Sequence, residues 1–299
     1  MAKITSNGIE LEYDVFGPAD GRPLLLVQGL SWQMTRWPEP LMNMFTDKGF
    51  RAIRFDNRDI GLSQKMDDLG MPDLGKAMAN RGKGVATGAP YQLEDMAKDA
   101  VGLLDALGVK KAHIAGVSMG GMISQLVAAD HQDRVLSLTS IMSTNGNLAV
   151  GQSTAEAAAL TTQRPPNPAE DLDGYLDAAV KSARILGGTG YPIPDDELRA
   201  RALADLKRSF YPVGIARQLT AIMSAPDRRE KLAGLKVPAV VLHGDKDPLI
   251  TPSGGEDTAA SIPGAEFILK KGMGHEIPPQ LYPTFVDAIM RAANRAEDA

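Results

Sequence analysis

Lys111-Ala112-His113-Ile114-Ala115-Gly116-Val117-Ser118-Met119-Gly120 is the stretch that decides how this chain of 299 residues folds. Lys111 to Ala115 reads as a short buried strand, and Met122-Ile123-Ser124-Gln125-Leu126-Val127-Ala128-Ala129 as a helix. A serine on the sharp turn between them holds its hydroxyl exposed, and Gly116 and Gly120 let the backbone make that turn. The helix N-terminus presents unpaired N–H groups that favour developing negative charge. The pattern G-x-S-x-G is weak alone and much stronger in the order strand, serine, helix. A glycine-rich turn with an idle serine is the competing reading, and it requires a chain without a matching base and acid.

Outward from that turn the chain alternates strands and helices. Ile4 to Phe16 reads as a hairpin around Asn7-Gly8, with one face in water. Pro23-Leu24-Leu25-Leu26-Val27 is a continuous apolar run that suits burial on both faces. Arg51 to Asp56 is a third strand, and Leu93, Met96, Ala100, Leu104 and Leu107 recur at helical spacing until Gly108. Val135 to Met142, Pro238 to His243 and Ala265 to Lys270 are further strands. This alternation predicts an α/β protein with a mostly parallel central sheet covered on both faces.

Between Ser143 and the strand at Pro238 the rhythm breaks. Helical patterns run from Ala169 to Leu186, Asp195 to Arg208 and Gly214 to Ser224, punctuated by Arg164-Pro165-Pro166 and Gly187-Gly188-Thr189-Gly190-Tyr191-Pro192. The glycine cluster follows no strand and precedes no phosphate-type lysine, so it is not read as a phosphate loop. The expectation is a helical cap, 145–235, inserted into a core built from 1–144 and 236–299. A second glycine-containing loop, Gln64 to Pro90, leans toward the same end of the sheet.

Composition narrows the function classes. Leu, Val, Ile, Ala and Met supply the core, and the net charge of −5 comes without a long basic run, which argues against a nucleic-acid surface. With no cysteine, disulfides, thiol nucleophiles and thiolate metal sites are excluded together. Met1 to Asn7 lacks the apolar run of a signal peptide, and no stretch is long and apolar enough to span a bilayer. The expected setting is cytoplasmic, without membrane or nucleic-acid partners, as a monomer or small homo-oligomer. No His, Asp and Glu cluster has metal-like spacing, so neither a metal nor another cofactor is expected.

A serine hydroxyl needs a base within hydrogen-bond reach. Of the four histidines, His113 lies inside the strand leading to Ser118, His131 ends the following helix, and His243 lies in a buried strand. His275 follows the last strand in Lys271-Gly272-Met273-Gly274-His275, and ligand-facing residues of a parallel sheet sit on such carboxyl-end loops. It is the candidate base. The candidate acid comes from His243-Gly244-Asp245-Lys246-Asp247-Pro248: Asp247, biased to an extended conformation by Pro248, is preferred to Asp245, which could brace the loop. The order Ser118, Asp247, His275 suits acyl transfer. The oxyanion donors expected are the N–H groups of Met119 and of Leu30 in Gln28-Gly29-Leu30-Ser31-Trp32, with Gly29 and Trp32 in contact with substrate.

With these residues in order, the chain resembles the α/β-hydrolase fold family over essentially its whole length. The resemblance rests on Gln28-Gly29-Leu30, on Asp56-Asn57-Arg58-Asp59-Ile60-Gly61-Leu62-Ser63, on Gly116 to Gly120, and on Gly244 to Pro248 with Gly274-His275. It implies Ser118, Asp247 and His275 as the triad, with Leu30 and Met119 as oxyanion donors. Two departures stand out: many relatives have histidine at Gln28 and glycine at Asp59. The form around Asp56 and the segment Leu186 to Pro192 resemble the branch containing the aclacinomycin methylesterase, which implies ester cleavage.

The function expected is therefore a serine carboxylic-ester hydrolase of the carboxylesterase or methylesterase type, acting on a small-molecule ester with water through an acyl-enzyme. A lactonase, a carbon–carbon-bond hydrolase and a perhydrolase are alternatives on the same scaffold. Haloalkane dehalogenases and epoxide hydrolases carry an aspartate where this chain has Ser118. A ligand-binding protein of the same fold is the non-enzyme alternative, and such a protein commonly lacks a triad member.

Overall fold

The computed structural model describes residues 1–160 and 163–297. An eight-stranded sheet organises them, in the spatial order β1-β2-β4-β3-β5-β6-β7-β8. The strands are β1 (Ala2–Ser6), β2 (Ile9–Phe16), β3 (Arg22–Val27), β4 (Phe50–Phe55), β5 (Ala112–Val117), β6 (Val135–Ile141), β7 (Ala239–Gly244) and β8 (Glu266–Lys270). β1 and β2 form the expected hairpin, with Asn7 and Gly8 both in the left-handed region at φ 48° and 77°. β2 pairs antiparallel with β4, and every later pairing is parallel.

The continuous apolar run of β3 is explained by its position inside the sheet. Leu25 and Val27 join the core on one face with Leu93, Met96 and Leu104 of α3 (Leu93–Ala106) and Ile123 of α4 (Met119–Asp130). Leu24 and Leu26 join the opposite core with Leu41 and Phe45 of the helix Glu39–Thr46 and Phe285 and Ile289 of the helix Tyr282–Glu297. Alternate side chains of one strand serve two cores, so the strand has no polar face to offer. The C-terminal helix has a well-defined apolar stripe that the strand-by-strand reading of the sequence did not use.

Between β6 and β7 the described residues contain helices and no strand: α5 (Ala155–Leu160), α6 (Leu172–Gly187), α7 (Asp195–Arg208), α8 (Pro212–Ser224) and α9 (Arg229–Ala233). The stretch from Gln64 to Pro90 is less loop-like than its glycines suggest. Leu74–Asn80 forms a helix, opened by Asp73 accepting from Lys76 N, and it packs against α8.

The helices between β6 and β7 are fastened to the sheet through the motif at Asp56 to Ser63. Asp56 accepts from the N–H groups of Met34 and Leu62 and pairs with Arg208 of α7 at 2.7 Å. Gly61 is required because a Cβ there would lie 2.1 Å from the Asp56 carboxylate. Asp59, where the family resemblance leads one to expect glycine, has φ 69° and takes both ends of the Arg217 guanidinium from α8 at 2.8 Å, with both side chains fully buried. Removing one member of such a buried pair leaves the other charge without its counter-ion. Arg217→Met is therefore expected to cost about 3–5 kcal/mol of stability, read from urea unfolding of the whole chain.

Candidate active site

Strand β5 ends at Val117 and α4 begins at Met119, leaving Ser118 alone at the turn with φ 54° and ψ −121°. The left-handed conformation falls on the serine itself rather than on its glycine neighbours, and such a residue stores about 1–3 kcal/mol of strain. The glycines serve close approach instead. A Cβ on Gly116 would lie 2.1 Å from Gly120 O, and one on Gly120 would lie 2.2 Å from Val27 O. The turn is held from behind, since Ser118 N donates to Ile141 O at 2.9 Å and Ser143 Oγ donates to Ser118 O at 2.7 Å. Met119 N–H opens α4, where no preceding helical carbonyl can accept it.

The loop after β3 crosses directly over this turn. A Cβ on Gly29 would stand 3.3 Å from Ser118 Cβ, so Gly29 is the close-approach residue between loop and serine. Gln28 is buried, with Nε2 donating to Met34 O at 3.3 Å and Oε1 without a partner among the described residues. Leu30 is partly buried against the core. Trp32 lines a cleft of about 220 Å³ whose far wall carries Glu276 and Ile277, the residues after His275. The Arg36 guanidinium sits over its ring at 5.5 Å.

Asp247 and His275 meet across the ends of β7 and β8. Their loops are joined by Asp245 N to Lys270 O, Lys246 N to Met273 O, and Gly272 N to Asp245 Oδ1 at 2.5 Å. Asp245 thus braces the loop, and Asp247 Oδ2 accepts from His275 Nδ1 at 2.7 Å. Its other oxygen accepts from Leu249 N and Ile250 N, both at 2.9 Å. Burial works against the charge on Asp247, but His275 and His243 beside it prevail and hold its pKa down at about 2. A carboxylate offers no proton, so Nδ1 of His275 carries the hydrogen and Nε2 is left with its lone pair. Ser118 Oγ makes no hydrogen bond to His275 among the described residues.

His243 and His113 are occupied elsewhere. His243 Nε2 donates to Ile250 O at 2.8 Å and stands 3.4 Å from Asp247 Oδ2, a second neighbour of the aspartate beside His275. His113 bonds Ser137 Oγ through Nδ1 at 2.9 Å and packs on the Phe50 ring. Burial, with the Arg22 charge adding to it, lowers the His113 pKa to about 4. Below the usual histidine pKa of about 6.5 the unfolded chain binds a proton that the native chain refuses. Stability should therefore fall with pH across that window by roughly 3 kcal/mol, and His113→Gln should flatten this slope in urea unfolding curves.

The helices between β6 and β7 reach these loops at two places. Leu186 O, at the end of α6, accepts from His275 N at 2.6 Å, and a Cβ on Gly274 would lie 2.3 Å from Gly188 N. Gln218 of α8 contacts the loop after β3, accepting from Ser31 N at 3.2 Å. Arg217-Gln218, two long polar residues inside an otherwise apolar helical stretch, were the available signal.

A family model described as the alpha/beta hydrolase fold matches residues 22–280. The chain belongs to the α/β-hydrolase fold family. Among relatives of this α/β hydrolase, rhodomycin D methylesterase DnrP of Streptomyces peucetius is 27% identical over 305 residues, covering 96% of this chain and 95% of the relative. The methylesterase branch indicated by the motifs is thereby supported. 3-Oxoadipate enol-lactonase 2 of Acinetobacter baylyi is 24% identical over 293 residues, covering 97% of each chain. Among solved structures, a thermophilic esterase from Thermogutta terrifontis superposes with a TM-score of 0.70 and 26% identity, over 99% of this chain and 98% of that one. No helix among the described residues is long and apolar enough to cross a membrane, and no group of three or more His, Asp or Glu among them could hold a metal ion.

Proposed function

We propose that this α/β hydrolase is a serine carboxylic-ester hydrolase of the methylesterase type, with Ser118 as nucleophile, His275 as base and Asp247 as its orienting acid. The observation that carries the reading is the 2.7 Å contact from His275 Nδ1 to Asp247, which leaves Nε2 free to accept a proton. Ser118 Oγ adds to the ester carbonyl as His275 Nε2 takes its proton. The oxyanion is held by the N–H groups of Met119 and Leu30, collapse expels the alkoxide with that proton, and water enters by the reverse sequence. The contact between Ser118 and His275 tightens when substrate is bound, as catalytic hydrogen bonds commonly do.

In this reading 145–235 is the cap over the site, and Gly29 and Trp32 contact the substrate. The names of the relatives support an ester as the substrate: methylesterase and enol-lactonase chemistry both open an acyl–oxygen bond. A lactonase is the second reading, favoured by the enol-lactonase relative, and differs only in keeping both products in one molecule. Turnover of p-nitrophenyl acetate, followed by a panel of methyl esters against lactones, tests both. Folded protein that opens none of these substrates sinks the proposal, and preference for lactones over every acyclic ester moves it to the second reading.

A further inference from the structure

The N–H of Leu30 sits within three successive peptide units, and each unit is held by one hydrogen bond. Gln28 O accepts from Asn57 Nδ2 at 3.1 Å, and Gly29 O accepts from Trp32 N at 3.3 Å. Those two restraints come from the sheet domain. The third does not: Ser31 N donates at 3.2 Å to Gln218 Oε1, on α8 of the insertion. Ser31 also has φ 65°, a conformation that a non-glycine residue leaves readily unless its surroundings hold it.

Gln218 is built for that task. Its side chain is fully buried, and Nε2 donates to Arg58 O at 2.8 Å, which fixes the amide so that the oxygen faces Ser31. A flipped amide would set two donors against each other at one end and two acceptors at the other. The neighbouring Arg217 is paired with Asp59, which ties α8 to the loop after β4.

We propose that Gln218 is a positioning residue for the oxyanion hole. It holds the Leu30–Ser31 peptide, and through it the Leu30 N–H, so that the hole is complete only while α8 is docked. The inference rests on the ester-hydrolase reading above, and goes beyond it by giving the insertion a part in transition-state stabilisation. A donor displaced by a fraction of an ångström loses force on the oxyanion while leaving ground-state binding largely alone.

The test compares wild type, Gln218→Met and Gln218→Glu in the full chain. Methionine fills the space without either hydrogen bond, and glutamate in its protonated form restores both, its carbonyl oxygen accepting from Ser31 N and its hydroxyl donating to Arg58 O. Two readouts are taken on protein shown folded by circular dichroism: kcat and KM for p-nitrophenyl acetate, and the affinity for phenylboronic acid by calorimetry. The boronic acid adds Ser118 Oγ to its trigonal boron and places a boron-bound oxygen where the oxyanion would lie.

Gln218→Met is expected to lower kcat and boronate affinity together by about ten- to a hundred-fold with KM little changed, and Gln218→Glu to recover part of both. A folded Gln218→Met with wild-type kcat and boronate affinity overturns the inference. So does a change confined to KM. Wild type that neither hydrolyses the ester nor binds the boronate removes the ester-hydrolase reading and this inference with it. Wild type that does both, matched by Gln218→Met, removes this inference alone.

Discussion

Ser118→Ala should lower ester turnover by about a million-fold and leave the fold intact. The loss is large because nothing else at the turn can attack: Ser143 Oγ is committed to Ser118 O, and the chain has no cysteine. The left-handed backbone at position 118 is shared by the alanine variant, so its stability should stay close to wild type. Ser118→Gly relieves that strain and should unfold at a higher urea concentration than either, by about 1 kcal/mol. Steady-state rates on protein free of contaminating esterase, together with urea midpoints, check both parts. A Ser118→Ala protein that keeps more than a few per cent of the rate would end the assignment.

Asp247→Asn should cost roughly ten-thousand-fold in kcat, and Asp245→Asn far less. The reason lies in the two backbone donors on Asp247. Leu249 N and Ile250 N require an acceptor on their side, so an asparagine must keep its carbonyl oxygen there and turn its NH₂ toward His275. Nδ1 of His275 would then have to accept, which moves the ring hydrogen to Nε2 and blocks the base. Asp245 has one structural bond to lose, from Gly272 N, and its asparagine can still accept it through the carbonyl oxygen. Rates for the two variants decide the matter, and the reverse ranking with both proteins folded would hand the acid role to Asp245. Because the Asp247 pKa is lowered to about 2, its carboxylate stays ionised until strongly acid pH, and its pairing with His275 is lost only as pH falls through that value.

Much of this arrangement was legible before any coordinates. Period and punctuation sufficed for the strands because central strands of a parallel sheet are unbroken apolar runs, as in Leu24 to Val27, and glycines stand where backbones nearly touch, as at Gly116 and Gly120. Asp247, the aspartate that meets His275, differs from Asp245 in the sequence by its proline neighbour. What could not be read was pairing across distance. Asp59 looked like a departure from a glycine position, and its reason is Arg217, which lies 158 residues further along the chain. Gln218 shows in the sequence only as a long polar residue inside an apolar helical stretch, and its partners Ser31 and Arg58 cannot be read from it.

The fastening of α8 bears on recombination between relatives. Grafting a foreign segment in place of 145–235 would keep Ser118, Asp247 and His275 on their sheet loops, yet the graft would have to carry a guanidinium for Asp59. A donor without one would leave a buried carboxylate facing apolar helix, and a host bearing Asp59→Gly, which suits the left-handed backbone there, would accept it more readily. Compatibility of exchanged parts is thus written in a few polar residues along one seam, together with the close backbone contacts between Leu186-Gly188 and Gly274-His275.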